Sequence, residues 1–121
     1  MARDTAKVQV AFSSNAGASF SDPIRIDEGN PLGRVDLVLV KGGAIVSWLE
    51  NKSNWAEIKL QKVNKEGRVG TPRLLTKTSP VRASGFPILE KLDHQLLLAW
   101  TEITDEEQET TTIRTALVKQ W

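Results

Sequence analysis

Apolar and polar residues alternate along most of this chain, and the period is that of strands. Val8–Phe12 alternates before a turn at Gly17. Pro23–Asp27 follows as a short strand, its proline at the start, where a missing N–H is tolerated. Glu28–Gly33 reads as a loop from its glycine, asparagine and proline. Val35–Val40 and Ala44–Glu50 form a hairpin about Lys41-Gly42-Gly43. Trp55–Val63 alternates less regularly, Asn64-Lys65-Glu66-Gly67 is a turn, and Pro72–Thr76 is a short strand. After Lys77-Thr78-Ser79-Pro80, Phe86–Leu92 and the strongly apolar Gln95–Ile103 flank a turn at Asp93-His94. Thr104–Thr110 is acidic and polar, a solvated loop or hairpin tip, and Thr111–Gln120 ends the series. No segment sustains a 3.6-residue period. The pattern predicts an all-β fold of nine short strands.

A β-sandwich would satisfy that strand count; an internal repeat points elsewhere. Gly33 and Gly85, Trp48 and Trp100, and Glu50 and Glu102 are each 52 residues apart. Ile45-Val46-Ser47-Trp48-Leu49-Glu50 matches Leu97-Leu98-Ala99-Trp100-Thr101-Glu102. Ile58-Lys59-Leu60 matches Ile113-Arg114-Thr115 at a spacing of 55, the second copy having the longer acidic loop. Gly17 and Gly67 are 50 apart and Pro23 and Pro72 are 49 apart, so Asn64–Gly67 is a decayed copy of the opening turn. A period near 50 with four short strands per copy is the pattern of a propeller blade. The expected organisation is half a blade over residues 1–32, a full four-stranded antiparallel blade over 33–80, and a three-strand partial blade over 81–121. About two blades cannot close a ring, because each blade buries its faces against its neighbours. Either missing blades of a longer parent complete it, or copies assemble head to tail, a trimer giving six blades.

The opening turn reads Ser13-Ser14-Asn15-Ala16-Gly17-Ala18-Ser19-Phe20. Gly17 supplies a residue tolerant of positive φ, and Ser13 and Asn15 can bond nearby backbone groups. Phe20 is expected to fold back under the loop as an apolar plug. The pattern resembles the Asp-box, the bacterial neuraminidase repeat of sialidase-like β-propellers, with Asn15 for the usual Asp and Ser19 for the usual Thr. Gly33-Arg34-Val35-Asp36 with Val46–Glu50 resembles a middle blade of that family. Arg82–Pro87 with Ala99–Glu102 and Ile113–Ala116 resembles a blade near its C-terminus. The resemblance implies six-bladed propellers, of which this chain would be about the last third.

Sialidases hold the substrate carboxylate with an arginine triad and attack with a Tyr–Glu pair, because a neutral phenol approaches an anionic substrate with less repulsion than a carboxylate. This chain has no tyrosine. No catalytic residue is therefore assigned, and the expected role is a non-catalytic module, a self-assembling scaffold or a binder of an anionic sugar or small acid. The alternative is a fragment of a sialidase-type glycoside hydrolase whose catalytic residues lie outside the chain. Arg34, Asp36 and Arg82 lie at the starts of innermost-strand candidates, near a central channel. They are the candidate ligand-binding residues, set against an Arg–Asp pair that only joins adjacent blades.

Composition narrows the classes further. The 121 residues are one domain's worth, and a net charge of +1 gives no basic field for nucleic acid. One histidine and no cysteine leave no expected metal site or other cofactor. Asp105, Glu106, Glu107 and Glu109 read as a solvated acidic tip. No apolar run suffices for a membrane helix, and Met1–Lys7 lacks the apolar core of a signal peptide, although the family resemblance would allow a periplasmic or secreted location. Trp48 and Trp100, between apolar neighbours, are expected in the core between blades, and Trp55 and Trp121 at exposed or contact positions.

Overall fold

The computed structural model describes residues 6–79, 85–105, 107–108, 110–119 and 121. Among these there is no helix, and nine strands form antiparallel sheets of two, four and three strands. The first sheet pairs β1 (Gln9–Val10) with β2 (Ile24–Arg25). The second is a meander of β3 (Pro31–Val40), β4 (Gly43–Asn51), β5 (Ala56–Asn64) and β6 (Gly67–Thr78). The third runs β7 (Gly85–Leu92), β8 (Gln95–Asp105), β9 (Thr110–Val118).

The middle strands of the four-stranded sheet, β4 and β5, are covered on both faces. Because side chains alternate across a strand, β4 divides its residues between two cores. Ala44, Val46 and Trp48 point toward the first sheet and pack with Val8, Ile26 and Val63. Ile45 and Leu49 point the other way, into a cluster with Ile58, Leu60, Leu89, Leu96, Leu98 and Trp100. Residues 44–50 are consequently all buried, which explains their nearly unbroken apolar run. Trp48 is fully buried and Trp100 is 6% exposed. The two tryptophans hold equivalent places: each lies on the second strand of its sheet and packs toward the preceding sheet.

Several expectations change in detail. The segment expected as a loop before Val35 joins β3 at Pro31, which pairs with Glu50. Two register shifts, between Pro31 and Gly33 and between Gly33 and Asp36, absorb the extra residues as bulges. Gly33 (φ 81°) and Arg34 (φ 56°) take the left-handed conformation there. β1 and β2 are shorter than the alternation suggested, yet Ile26 N–H still donates to Val8 O (2.9 Å) and Ser21 N–H to Phe12 O (2.7 Å). β6 is longer than Pro72–Thr76, because it follows β5 from a tight turn at Lys65-Glu66. The acidic stretch lies between β8, which extends to Asp105, and β9, which starts at Thr110; Glu106 and Glu109 are outside the described residues.

The opening turn is tied as its residue types suggested. Ser13 Oγ accepts the Gly17 N–H (2.8 Å), and Asn15 Oδ1 accepts the Ser19 N–H (3.0 Å) while its Nδ2 donates to Ser19 Oγ (2.8 Å). Phe20 is a correction. It is 63% exposed and plugs nothing. Strand parity puts Phe12 instead on the face of Val8 and Val10, where it packs against the first core.

Candidate functional site

Of the candidate ligand-binding residues, Arg34 and Asp36 lie on β3, the first strand of the second sheet. Asp36 lies on β3, just past its second bulge. Its Oδ2 accepts the Leu89 N–H of β7 at 2.8 Å, and its Oδ1 accepts the Leu37 N–H at 2.9 Å. The carboxylate therefore joins the first strands of two neighbouring sheets. Arg34 sits half-buried in the bulge. Arg82 lies outside the described residues.

A denser polar cluster lies where β2 leads into β3, at the end of β4 and start of β5. Glu50 follows Trp48 by two positions, so both side chains leave β4 on one face. Trp48 Nε1–H donates to Glu50 Oε1 at 2.8 Å. The same carboxylate accepts the Glu28 N–H at 2.9 Å and the Asn30 N–H at 2.7 Å. Glu50 is 1% exposed. Three donors on one buried carboxylate satisfy a group that would otherwise be costly to bury, and they fix the crossing from the first sheet to the second.

Two further carboxylates surround this joint. Asp27 accepts from Arg25 through both oxygens (2.8–3.2 Å), from the Val8 N–H (2.8 Å) and from the Gly29 N–H (3.0 Å). The Arg25 guanidinium is the main cause that holds Asp27 at about 2, below its ordinary 3.8, against the opposing effect of burial. Glu57 repeats the Trp-x-Glu arrangement: Trp55 Nε1–H donates to its Oε2 at 3.2 Å. Burial acts to raise the Glu57 value, but Trp55 and Lys59 outweigh it and hold it below the usual carboxylate range. Lys59 bridges Glu28 (2.8 Å) and Glu57 (3.4 Å), and these partners raise its value although burial opposes them. Lys77 Nζ lies 4.9 Å from the Trp55 ring centroid, a cation–π contact.

The cluster is a structural latch. Each carboxylate already faces donors, and among the described residues no group of His, Asp and Glu could hold a metal ion. The Trp-x-Glu spacing, present at 48–50, 55–57 and 100–102, was the available signal for it. The third copy differs: Glu102 pairs with Arg114, and among the described residues Trp100 Nε1 has no hydrogen-bond partner.

No protein-family model, curated protein or solved structure matches the chain. Among the described residues, no helix is long and apolar enough to cross a membrane.

Proposed function

We propose that the chain is a non-catalytic segment of a sialidase-like β-propeller, a scaffold module whose sheets are blades. The observation that carries this reading is the equivalent placement of Trp48 and Trp100, 52 residues apart, each sealing its sheet onto the one before. That is repetition of a packing unit, and a sandwich does not require it. The tied Ser13–Ser19 turn between β1 and β2 adds the hairpin that the resemblance leads one to expect.

Apolar side chains are left uncovered on one face of the middle sheet and on the outward face of the last. Val35, Leu37 and Leu39 of β3 are 49, 49 and 74% exposed, beside a first sheet of only two strands. On the outward face of the third sheet, Ile88 and Ile113 are 64 and 73% exposed. Further blades would cover both, and copies of this chain joined head to tail are the favoured source. A ring with a central channel, seen by negative-stain electron microscopy, is the expected outcome; isolated short stacks would overturn it. In such a ring Arg34 approaches the channel and an acidic sugar is the ligand class that its guanidinium suits. Saturable binding of sialic acid, lost in Arg34→Ala, tests that role.

The same uncovered faces favour a second reading, in which the chain is part of a longer sialidase-type hydrolase with its catalytic residues elsewhere. On either reading, no hydrolysis of a fluorogenic sialoside by this chain alone is expected, since it contains no tyrosine.

A further inference from the structure

The second and third sheets differ by one strand, and the difference leaves a trough. β5 carries β6 along its outer edge, paired from Ala56–Thr78 to Asn64–Gly67. β9, which repeats β5, is the last strand of its sheet and, among the described residues, has no such neighbour. On the face of the second sheet that looks toward the third lies a cavity of about 270 Å³ lined by Ile45, Leu60 and Val69, with Lys62, Arg73 and Trp121 among its other walls. Arg73 also lines a second cavity, with Leu117, Val118 and Lys119 of the β9 end. Lys62 and Trp121 line a third, with Lys41, Lys91, Asp93 and His94. The first two cavities, joined at Arg73, form a trough from the face of β5 and β6 to the C-terminal end of β9; none of the third's lining residues is on β9.

Its charge is one-sided. Lys62, Arg73 and Lys119 border the trough, and no carboxylate is among its described lining residues. The whole chain, by contrast, is nearly balanced at +1. An open strand edge offers N–H and C=O groups in a row, which a second extended polypeptide can pair. An apolar floor under a cationic rim suits a strand whose side chains alternate between apolar and acidic.

We infer that the β9 edge is a docking site for an extended polypeptide of alternating apolar and acidic residues, which adds to the third sheet as its fourth strand. The inference does not rest on ring formation; in a six-bladed trimer the two-stranded sheet of the next copy would complete this three-stranded one, so a second copy is the competing occupant of the edge. Backbone pairing is what selects a peptide over another polyanion. Apolar side chains enter the cavity of Ile45, Leu60 and Val69, and acidic ones meet Arg73 and Lys119.

The test uses the whole chain and a blocked peptide alternating valine with glutamate. Saturable binding is expected, with slowed amide exchange along Thr110–Val118. Arg73→Glu and Lys119→Glu, both at exposed positions, should each weaken it roughly tenfold while leaving the circular dichroism spectrum unchanged. The same peptide N-methylated at alternate residues should not bind. Absence of binding, binding without β9 protection, or equal binding of the N-methylated peptide or of a heparin fragment would each overturn the inference. So would β9 protection that rises with protein concentration in the absence of peptide, since the edge would then belong to a second copy.

Discussion

Replacing Glu50 by alanine removes the acceptor for three N–H groups at once: Trp48 Nε1, Glu28 N and Asn30 N. The three losses are unequal. Trp48 is fully buried, so its indole N–H is left without a partner, at a cost of about 1–3 kcal/mol. Glu28 and Asn30 are exposed residues whose N–H groups can turn to water, so each costs only about 0.5–1.5 kcal/mol. The expected destabilisation is about 3 kcal/mol. Glu50→Gln keeps one carbonyl but sets an amide N–H₂ against a donor, and should cost about half as much. Trp48→Phe removes the stranded donor beforehand, so Glu50→Ala should cost about 1–2 kcal/mol less in that background. Urea denaturation followed by far-ultraviolet circular dichroism, with unchanged m, measures all four corners of the cycle. Glu50→Ala within about 0.5 kcal/mol of wild type, or additive behaviour with Trp48→Phe, would refute the view of Glu50 as the latch between sheets.

Other consequences are simpler. The Asp27 value lies below its ordinary one, so its contribution to stability is complete above pH 3.8 and is lost as pH falls toward about 2. Asp27→Asn should be less stable at neutral pH and lose less than wild type across that window in an acid titration of the folded state. A Cβ on Gly43 would lie 2.1 Å from the Val63 carbonyl oxygen, a backbone contact that cannot yield cheaply. Gly43→Ala should therefore cost more than about 2 kcal/mol in the same denaturation assay. Ile113→Lys, at a 73% exposed position on the outward face of the third sheet, should leave stability within about 0.5 kcal/mol and reduce self-association in sedimentation velocity.

The strands were legible because alternation survives wherever one face is buried and the other is not. β4 was legible for a different reason: its near-continuous apolar run, bounded by Gly43 and Asn51, is what a strand buried on both faces requires. The start of β3 was hidden, because Asn30, Pro31 and Gly33 are turn residues by local preference while pairing to β4 and two bulges override that preference. Phe20 misled through the motif, which places an aromatic residue after the turn; strand parity gave the buried place to Phe12. Asp36 was visible as a polar residue near the start of a strand. Its partner, the Leu89 N–H, is 53 positions away, and no local spacing encodes it. The Glu50 latch left a trace in the repeated Trp-x-Glu, but a spacing of two indicates only a shared face, and the backbone donors of Glu28 and Asn30 come from the fold.

The central claim is the proposal that copies of this chain join, blade to blade, into a ring. Light scattering coupled to size-exclusion chromatography tests it most directly. The account predicts a discrete particle of several chains, with three copies of the 13.4 kDa chain the favoured mass. A soluble, stably folded particle of 13.4 kDa over a wide concentration range would contradict self-assembly.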